Sequence, residues 1–267
     1  MTDIDLYGQP DIQTITVALF GRDRELDAEA ILPLALETFK THGIEPNFCT
    51  VGFKGVTEGK GLTFKTIRKR LEDGTYKELN HLSVLRLYTK GYPNSEDFSV
   101  SLDLSFGNDL VVFMYPIDPQ RPDLRPARRF VADILSVLTL KYGFALDIPL
   151  RLTPRHCAMG FMPFHVHDGL KESGAWQVAW RDKTYATGLF RHVFCLNVLS
   201  KPHMEANVGG VSFADWVKKP GHGDVEQLSE HVWLWTVPRK DRLRCAQILH
   251  FNGLLTAPDP FQNIVLA

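Results

Sequence analysis

The residues of this chain best suited to chemistry lie in the stretch MGFMPFHVHDG, residues 159–169. His165 and His167 are two positions apart, so in a strand their imidazoles would face the same side and could bind one metal ion. A metal-assisted hydrolase would need a further ligand from His156 or Asp168. Asp168, however, would face the other side of the strand, and its Asp-Gly pair is typical of a turn. The pattern favours a strand end, and the hydrolase is the alternative hypothesis.

No other stretch matches a catalytic pattern. Residues 54–63, KGVTEGKGLT, depart from a phosphate-binding loop at two positions, because Lys54 replaces a glycine and Gly61 replaces the magnesium-binding Ser or Thr. There is no G-x-S-x-G elbow, and no C-x-x-C pair occurs among the four cysteines, Cys49, Cys157, Cys195 and Cys245. We therefore predict buried thiols rather than disulfides. We expect no enzyme activity, no catalytic residue, no cofactor and no metal.

The composition indicates a globular protein and excludes several partner classes. The 267 residues are 44% hydrophobic and 23% charged, and the 30 basic and 31 acidic side chains give a net charge of -1. Such a chain has no global field that would attract nucleic acid or anionic lipid. Its start lacks a secretory signal, and its apolar runs are far shorter than the roughly 20 residues that span a bilayer. These features predict a cytoplasmic protein with no nucleic-acid or membrane partner.

Runs of strand patterns separated by helical patterns predict an α+β fold. In the first half, strands are predicted at 14–21 and 47–53, a hairpin within 98–116, and helices at 23–43, with Pro33 inside, and 126–143. In the second half, strands are predicted at 155–164, 191–200 and 231–238, a short helix near 201–207, a helix that starts at 239 and stops near Asn252 and Gly253, and an element of either type at 175–180.

We therefore expect mixed or antiparallel sheets with several packed helices. The predicted organisation is a single compact domain, 1–267, and the alternative is a pair of similar α/β subdomains, 1–150 and 151–267. The size of the chain is compatible with either arrangement.

Several segments, taken in order, resemble a known family. They are ITVALFGRDRELDAEA (15–30), AWQVAW (175–180), RHVFCLNVLSKPHM (191–204), HVWLWTVP (231–238) and RCAQILHFNGLL (244–255). In this order the chain resembles the immunity 52 family of bacterial toxin-immunity proteins, which includes immunity proteins of type VI secretion. The resemblance implies a cytoplasmic protein without catalytic residues. It would bind a cognate toxin, a nuclease of restriction-endonuclease type, and block its active site or substrate path.

The partner-binding residues are predicted from their chemistry. Acidic groups near an exposed aromatic side chain would suit the basic groove of a toxin that cuts DNA. Asp215 and Trp216 lie in the loop-like stretch SFADWVKKPGHGD, where we expect the indole to be exposed, and Asp224 and Glu226 follow it. Because the whole chain is nearly neutral, these residues would act as a local acidic patch.

Overall fold

The computed structural model describes residues 12–21, 28–41, 48–53, 60–63, 65–66, 69, 82–88, 101–105, 110–161 and 169–257. Within these ranges the chain forms seven α-helices and twelve strands, and every described strand pair is antiparallel. The chain divides into two compact units, Met1–Thr139 and Leu140–Ala267. The predicted α+β class is confirmed.

The described part of the first unit includes a six-stranded antiparallel sheet and two helices. Its elements are β1 (Gln13–Phe20), α1 (Ala28–Thr41), β2 (Phe48–Phe53), β3 (Lys60–Thr63), β4 (Leu82–Tyr88), β5 (Ser101–Ser105), β6 (Leu110–Pro116) and α2 (Arg125–Leu135). The strand order is β1-β6-β5-β4-β2-β3. β5 and β6 form the predicted hairpin, with Ser105 opposite Leu110.

Strands β1 and β6 are buried on both faces of the sheet. Every residue of β1 from Thr14 to Phe20 is buried, and so is β6 from Leu110 to Tyr115. Helix α2 has an apolar stripe, from which Phe130 contacts the ring of Phe113 at 4.8 Å between centroids. The predicted helix at 126–143 is too long, because α2 ends at Leu135 and its apolar continuation enters the core as a turn.

The second unit contains a four-stranded antiparallel sheet, a small hairpin and five helices. Its elements are β7 (Tyr142–Pro149), α3 (Pro154–Met159), α4 (Gly169–Arg181), β8 (Leu196–Ser200), α5 (Lys201–Glu205), β9 (Asn207–Val208), β10 (Val211–Ser212), α6 (Phe213–Trp216), β11 (Asp224–Gln227), β12 (Val232–Thr236) and α7 (Arg239–Phe251). Its strand order is β11-β12-β8-β7, and β9 pairs with β10. β11 therefore lies at an edge.

Aromatic rings fill one face of this sheet. Tyr142 and Phe144 of β7 lie 5.8 and 5.7 Å from the ring of Trp176 in α4. On β12, the ring of Trp235 lies 5.9 Å from that of Phe190. Each fully buried aromatic side chain contributes a large share of the hydrophobic stabilisation, and edge-to-face pairs add to it. This unit therefore has its own core.

Asn197 and Arg191 are among the polar side chains that are fully buried in this core. Asn197 of β8 donates hydrogen bonds to the carbonyls of Phe194 and Trp235 and accepts one from the Phe194 amide. Arg191 has no exposed surface, and its Nε and Nη2 donate to the two carboxylate oxygens of Glu172 at 2.7 and 3.2 Å. Both groups are satisfied by partners, which is the condition for burying them.

Some predicted elements of the second half are wrong. Residues 155–164 were expected to be a strand, but α3 occupies Pro154–Met159, starting with a proline at its first turn and ending at Gly160 with φ +77°. A proline at that position and a glycine in the left-handed conformation are typical helix boundaries. The ambiguous segment 175–180 belongs to α4.

The other predicted elements of this half are confirmed. β8 leads into the short helix α5, β12 lies inside 231–238, and α7 ends at Asn252 and Gly253. The described cysteines Cys157, Cys195 and Cys245 are buried, as predicted, and no disulfide joins them.

Candidate functional site

The stretch considered as an alternative metal site, residues 159–169, lies largely outside the described residues. His165, His167 and Asp168 lie outside the described residues. His156 lies in α3, next to the buried Cys157, whose thiol donates to the Leu152 carbonyl. Among the residues that the structure describes, no three His, Cys, Asp or Glu side chains are placed to hold a metal ion.

Trp216 is buried, so the expectation of an exposed indole is wrong. Only 4% of the residue is exposed. Its ring stacks on His222 at 4.1 Å and meets Trp235 edge-on at 6.1 Å. The sequence suggested a loop because of its charged and glycine-containing neighbours, but the apolar Phe213, three residues earlier in α6, packs beside the indole. Trp216 is therefore a core residue of the second unit.

The burial of Trp216 fixes the loop that leads into β11. The imidazole Nδ1 of His222 hydrogen-bonds to the Trp216 carbonyl at 2.8 Å, and the Trp235 indole donates to the His222 carbonyl at 2.7 Å. From α7, Arg244 donates to the carbonyl of Gly221 at 2.6 Å. These contacts tie the loop to β12 and α7, so the start of the edge strand is held from two sides.

Asp215 is exposed, but a neighbouring lysine offsets its charge. Lys218 donates to its carboxylate at 2.8 Å and the hydroxyl of Ser212 donates at 2.9 Å. The hydrogen bond from Lys218 is the largest reason why the pKa of Asp215 is lowered, and the bond from Ser212 and the lysine charge act in the same direction. Ser212 also caps α6. Asp215 thus stabilises the start of this short helix.

Three exposed carboxylates lie along the β11–β12 hairpin. Asp224 and Glu226 are exposed on β11, and Glu230 is exposed in the turn before β12. We call these three residues the acidic edge. Because residues two apart in a strand point to the same face, Asp224 and Glu226 present their carboxylates together.

The four predicted partner-binding residues do not form one surface. Val225 pairs with Trp235, and directly paired residues share a face, so Asp224 and Glu226 face away from the side on which the Trp216 ring packs. Asp215 lies on α6, which packs on the Trp235 side. The structure therefore keeps Asp224 and Glu226 as neighbours and separates them from Asp215 and Trp216.

Two exposed aromatic side chains escaped the sequence-based prediction. Phe251, in the last turn of α7, is 85% exposed, and Phe161, just after α3, is 56% exposed. The Asn252 side chain next to Phe251 accepts a hydrogen bond from the Gly209 amide, which places the β9–β10 hairpin beside this end of α7. The helical pattern of α7 puts Phe251 off its buried stripe, a signal that could have indicated its exposure.

In the part of the chain that the structure describes, none of the helices has both the length and the apolar character needed to cross a bilayer.

Comparison with known proteins identifies a likeness of fold. A solved structure of the Pseudomonas aeruginosa T6SS protein PA0821 matches with a TM-score of 0.52 and 13% sequence identity, over 95% of this chain and 77% of that chain. No protein-family model matches, so membership of the immunity 52 family stays a prediction. No curated protein matches either. The chain is thus similar in fold to a protein of the type VI secretion system.

Proposed function

We propose that this protein is a cytoplasmic immunity protein that binds a cognate secreted toxin and neutralises it by steric occlusion, without catalysis. The toxin is a nuclease effector of a type VI or related secretion system. The observation that carries the proposal is the likeness in fold to a T6SS protein, which extends over 95% of this chain. The resemblance of its segments to the immunity 52 family supports the same class of function.

The acidic edge supports a basic partner. A strand at the edge of a sheet offers backbone donors and acceptors to another chain, and carboxylates beside it favour a positively charged partner. Nucleases carry basic grooves for the phosphate backbone. A partner that covers the edge with a specific interface of about 1,600 Å² in total would block such a groove.

The second unit presents this edge on a rigid support. β11 is paired with β12 over four residues, and the loop before it is tied down by Trp216, His222 and Arg244. A surface that is already ordered loses less conformational entropy on binding, which raises the affinity for a given contact area. An occluding inhibitor benefits from such a surface.

The test is protection from a toxin. Each nuclease effector of a type VI panel is induced in a bacterial host with and without this chain, and growth and DNA integrity are measured. We expect one effector to be neutralised, and the purified pair to form an equimolar complex with no DNA cleavage. If no effector in the panel is neutralised and none forms a complex, the proposal is wrong.

Variants identify the binding surface. The double change Asp224→Asn and Glu226→Gln keeps the side-chain shape and removes two charges, so we expect the dissociation constant for the effector to rise about tenfold or more, measured by calorimetry. The matched control is Asp182→Asn with Glu205→Gln, which removes two exposed charges elsewhere in the same unit. Phe251→Ser is the second arm. If only Phe251→Ser weakened binding, the interface would lie at the end of α7 rather than at the acidic edge.

A further inference from the structure

The second unit contains a pocket outside the acidic edge. Its volume is about 360 Å³, within the range of small-molecule sites in proteins. The end of β7, the segment before β8 and the first two turns of α7 line it. Apolar side chains form its walls, among them Ile148, Leu152, Phe194 and Leu243. The pocket could therefore hold an apolar body.

Polar groups gather at the α7 side of this pocket. Asp147 and Arg242 form an ion pair in which the arginine Nη1 lies 2.7 Å from both carboxylate oxygens, and Nε of Arg242 donates to the Val237 carbonyl. These bonds hold the Arg242 guanidinium in place. Among the described residues, its Nη2 and the whole guanidinium of Arg239 have no hydrogen-bond or ion-pair partner. Nη2 of Arg242 and the guanidinium of Arg239 can therefore donate hydrogen bonds to a ligand.

The charges of the pocket sum to a positive value. The Asp147 carboxylate is matched by Arg242, and Arg239 adds a further cation at the rim. The first turn of α7 also contributes, since Pro238 precedes it and no side chain caps it. His192 lines the opposite wall. A ligand with one negative charge would neutralise the net charge of the pocket, whereas a second negative charge would be repelled by the Asp147 carboxylate.

We infer that this pocket binds a small monocarboxylic acid with an apolar body. The carboxylate lies against Arg239 and the free Nη2 of Arg242, because planar guanidinium donors match carboxylate geometry. The apolar body lies among Ile148, Phe194 and Leu243, where it leaves water. The inference does not depend on the toxin-binding role, because it concerns different residues and a different kind of ligand.

Calorimetric titration of the full chain tests both the carboxylate and the apolar body of the ligand. The probe is octanoate, with 1-octanol as the neutral analogue and acetate as the acid without an apolar body. We expect octanoate to bind at least about tenfold more tightly than either, because each analogue lacks one of the two interactions. Absence of octanoate binding, or equal binding of octanoate and 1-octanol, would overturn the inference.

Variants test the assigned residues. Arg239→Gln should weaken octanoate about tenfold and leave 1-octanol unchanged, and this exposed residue can be changed without disturbing the core. Lys240→Gln removes the same charge from the neighbouring position, which does not line the pocket, and should leave octanoate binding unchanged. Leu243→Trp should fill the pocket and abolish binding of both ligands. Equal effects of Arg239→Gln and Lys240→Gln would show a general charge effect and overturn the assignment.

Discussion

The Arg191 guanidinium is enclosed by two aromatic rings and a single carboxylate. Its central carbon lies 5.3 Å from the ring centroids of Phe144 and Trp176, and its Nη1 donates to the Ala158 carbonyl in addition to the bonds with Glu172. Such a cation is tolerated in the core because each of its three nitrogens donates to an acceptor and the rings offer their negative faces. The arginine therefore ties α3 and α4 to the segment before β8.

Removing the Glu172 carboxylate should lower the free energy of unfolding. Glu172→Gln leaves a buried charge without its counterion, so we expect the free energy of unfolding to fall by about 3–5 kcal/mol in urea titrations. The control is Asp182→Asn, which breaks the fully exposed pair with Arg181 and should leave the unfolding midpoint unchanged. Equal effects of the two changes would mean that the Arg191 pair contributes no more than a surface pair.

His203 should make stability depend on pH. Burial lowers its pKa from 6.5 to about 4, against the opposing effect of hydrogen bonds with the Leu189 carbonyl and Ser200. The unfolded chain therefore takes up the proton first, so this stabilisation is complete above pH 6.5 and is lost as the pH falls toward 4. We expect a loss of up to about 1.4 kcal/mol per pH unit in that window.

The measurement is urea unfolding of the wild type and of His203→Gln at pH 7, 6, 5 and 4.5. The variant should lose part of the pH slope, since it lacks the titrating ring. His231→Gln, at a side chain with 62% exposure, should keep the wild-type slope. A slope that is the same in all three proteins would mean that His203 does not titrate on unfolding.

At the scale of the elements, two glycines of the second unit should respond to alanine in opposite ways. Gly188 has φ +102°, and an added Cβ would lie 2.8 Å from the carbonyl oxygen of Pro202. Gly174 is exposed within α4, and an added Cβ would meet nothing within 4 Å. Gly188→Ala should lower the free energy of unfolding by more than about 1 kcal/mol, whereas Gly174→Ala should raise it by about 0.5–1 kcal/mol. Thermal unfolding distinguishes the two, and a stable Gly188→Ala protein would contradict the first expectation.

Periodicity predicted the long elements and failed where an element is short. The buried strands β1, β8 and β12 and the helices α1 and α7 follow from hydrophobic pattern and end signals. α3 has only six residues, too few for a helical period, and the deciding signals were Pro154 and Gly160 at its ends. α2 was predicted too long because its apolar pattern continues into Leu138 and Leu140, which enter the core after the helix has ended.

At the scale of the whole molecule, the sequence indicated the fold class but not the surface. Asp224 and Glu226 were predicted as partner-binding residues because they are acidic and follow Trp216 closely along the chain, and the structure keeps them exposed. Trp216 was misplaced because its burial depends on Trp235 and His222, which approach it only in the folded unit. The pocket could not be predicted for the same reason, since Asp147 and Arg242 are far apart along the chain.

Asn197 sets the alignment of the sheet in the second unit. Its amide bonds to the backbone of Phe194, just before its own strand, and reaches the Trp235 carbonyl of β12 only while it lies opposite that residue. If β8 shifted by one residue, the bond to Trp235 would be lost and a buried donor would have one acceptor fewer. A leucine here would bury more apolar surface but would tolerate several alignments. Asn197 therefore replaces some hydrophobic burial by a hydrogen bond that favours a single alignment of β8 with β12.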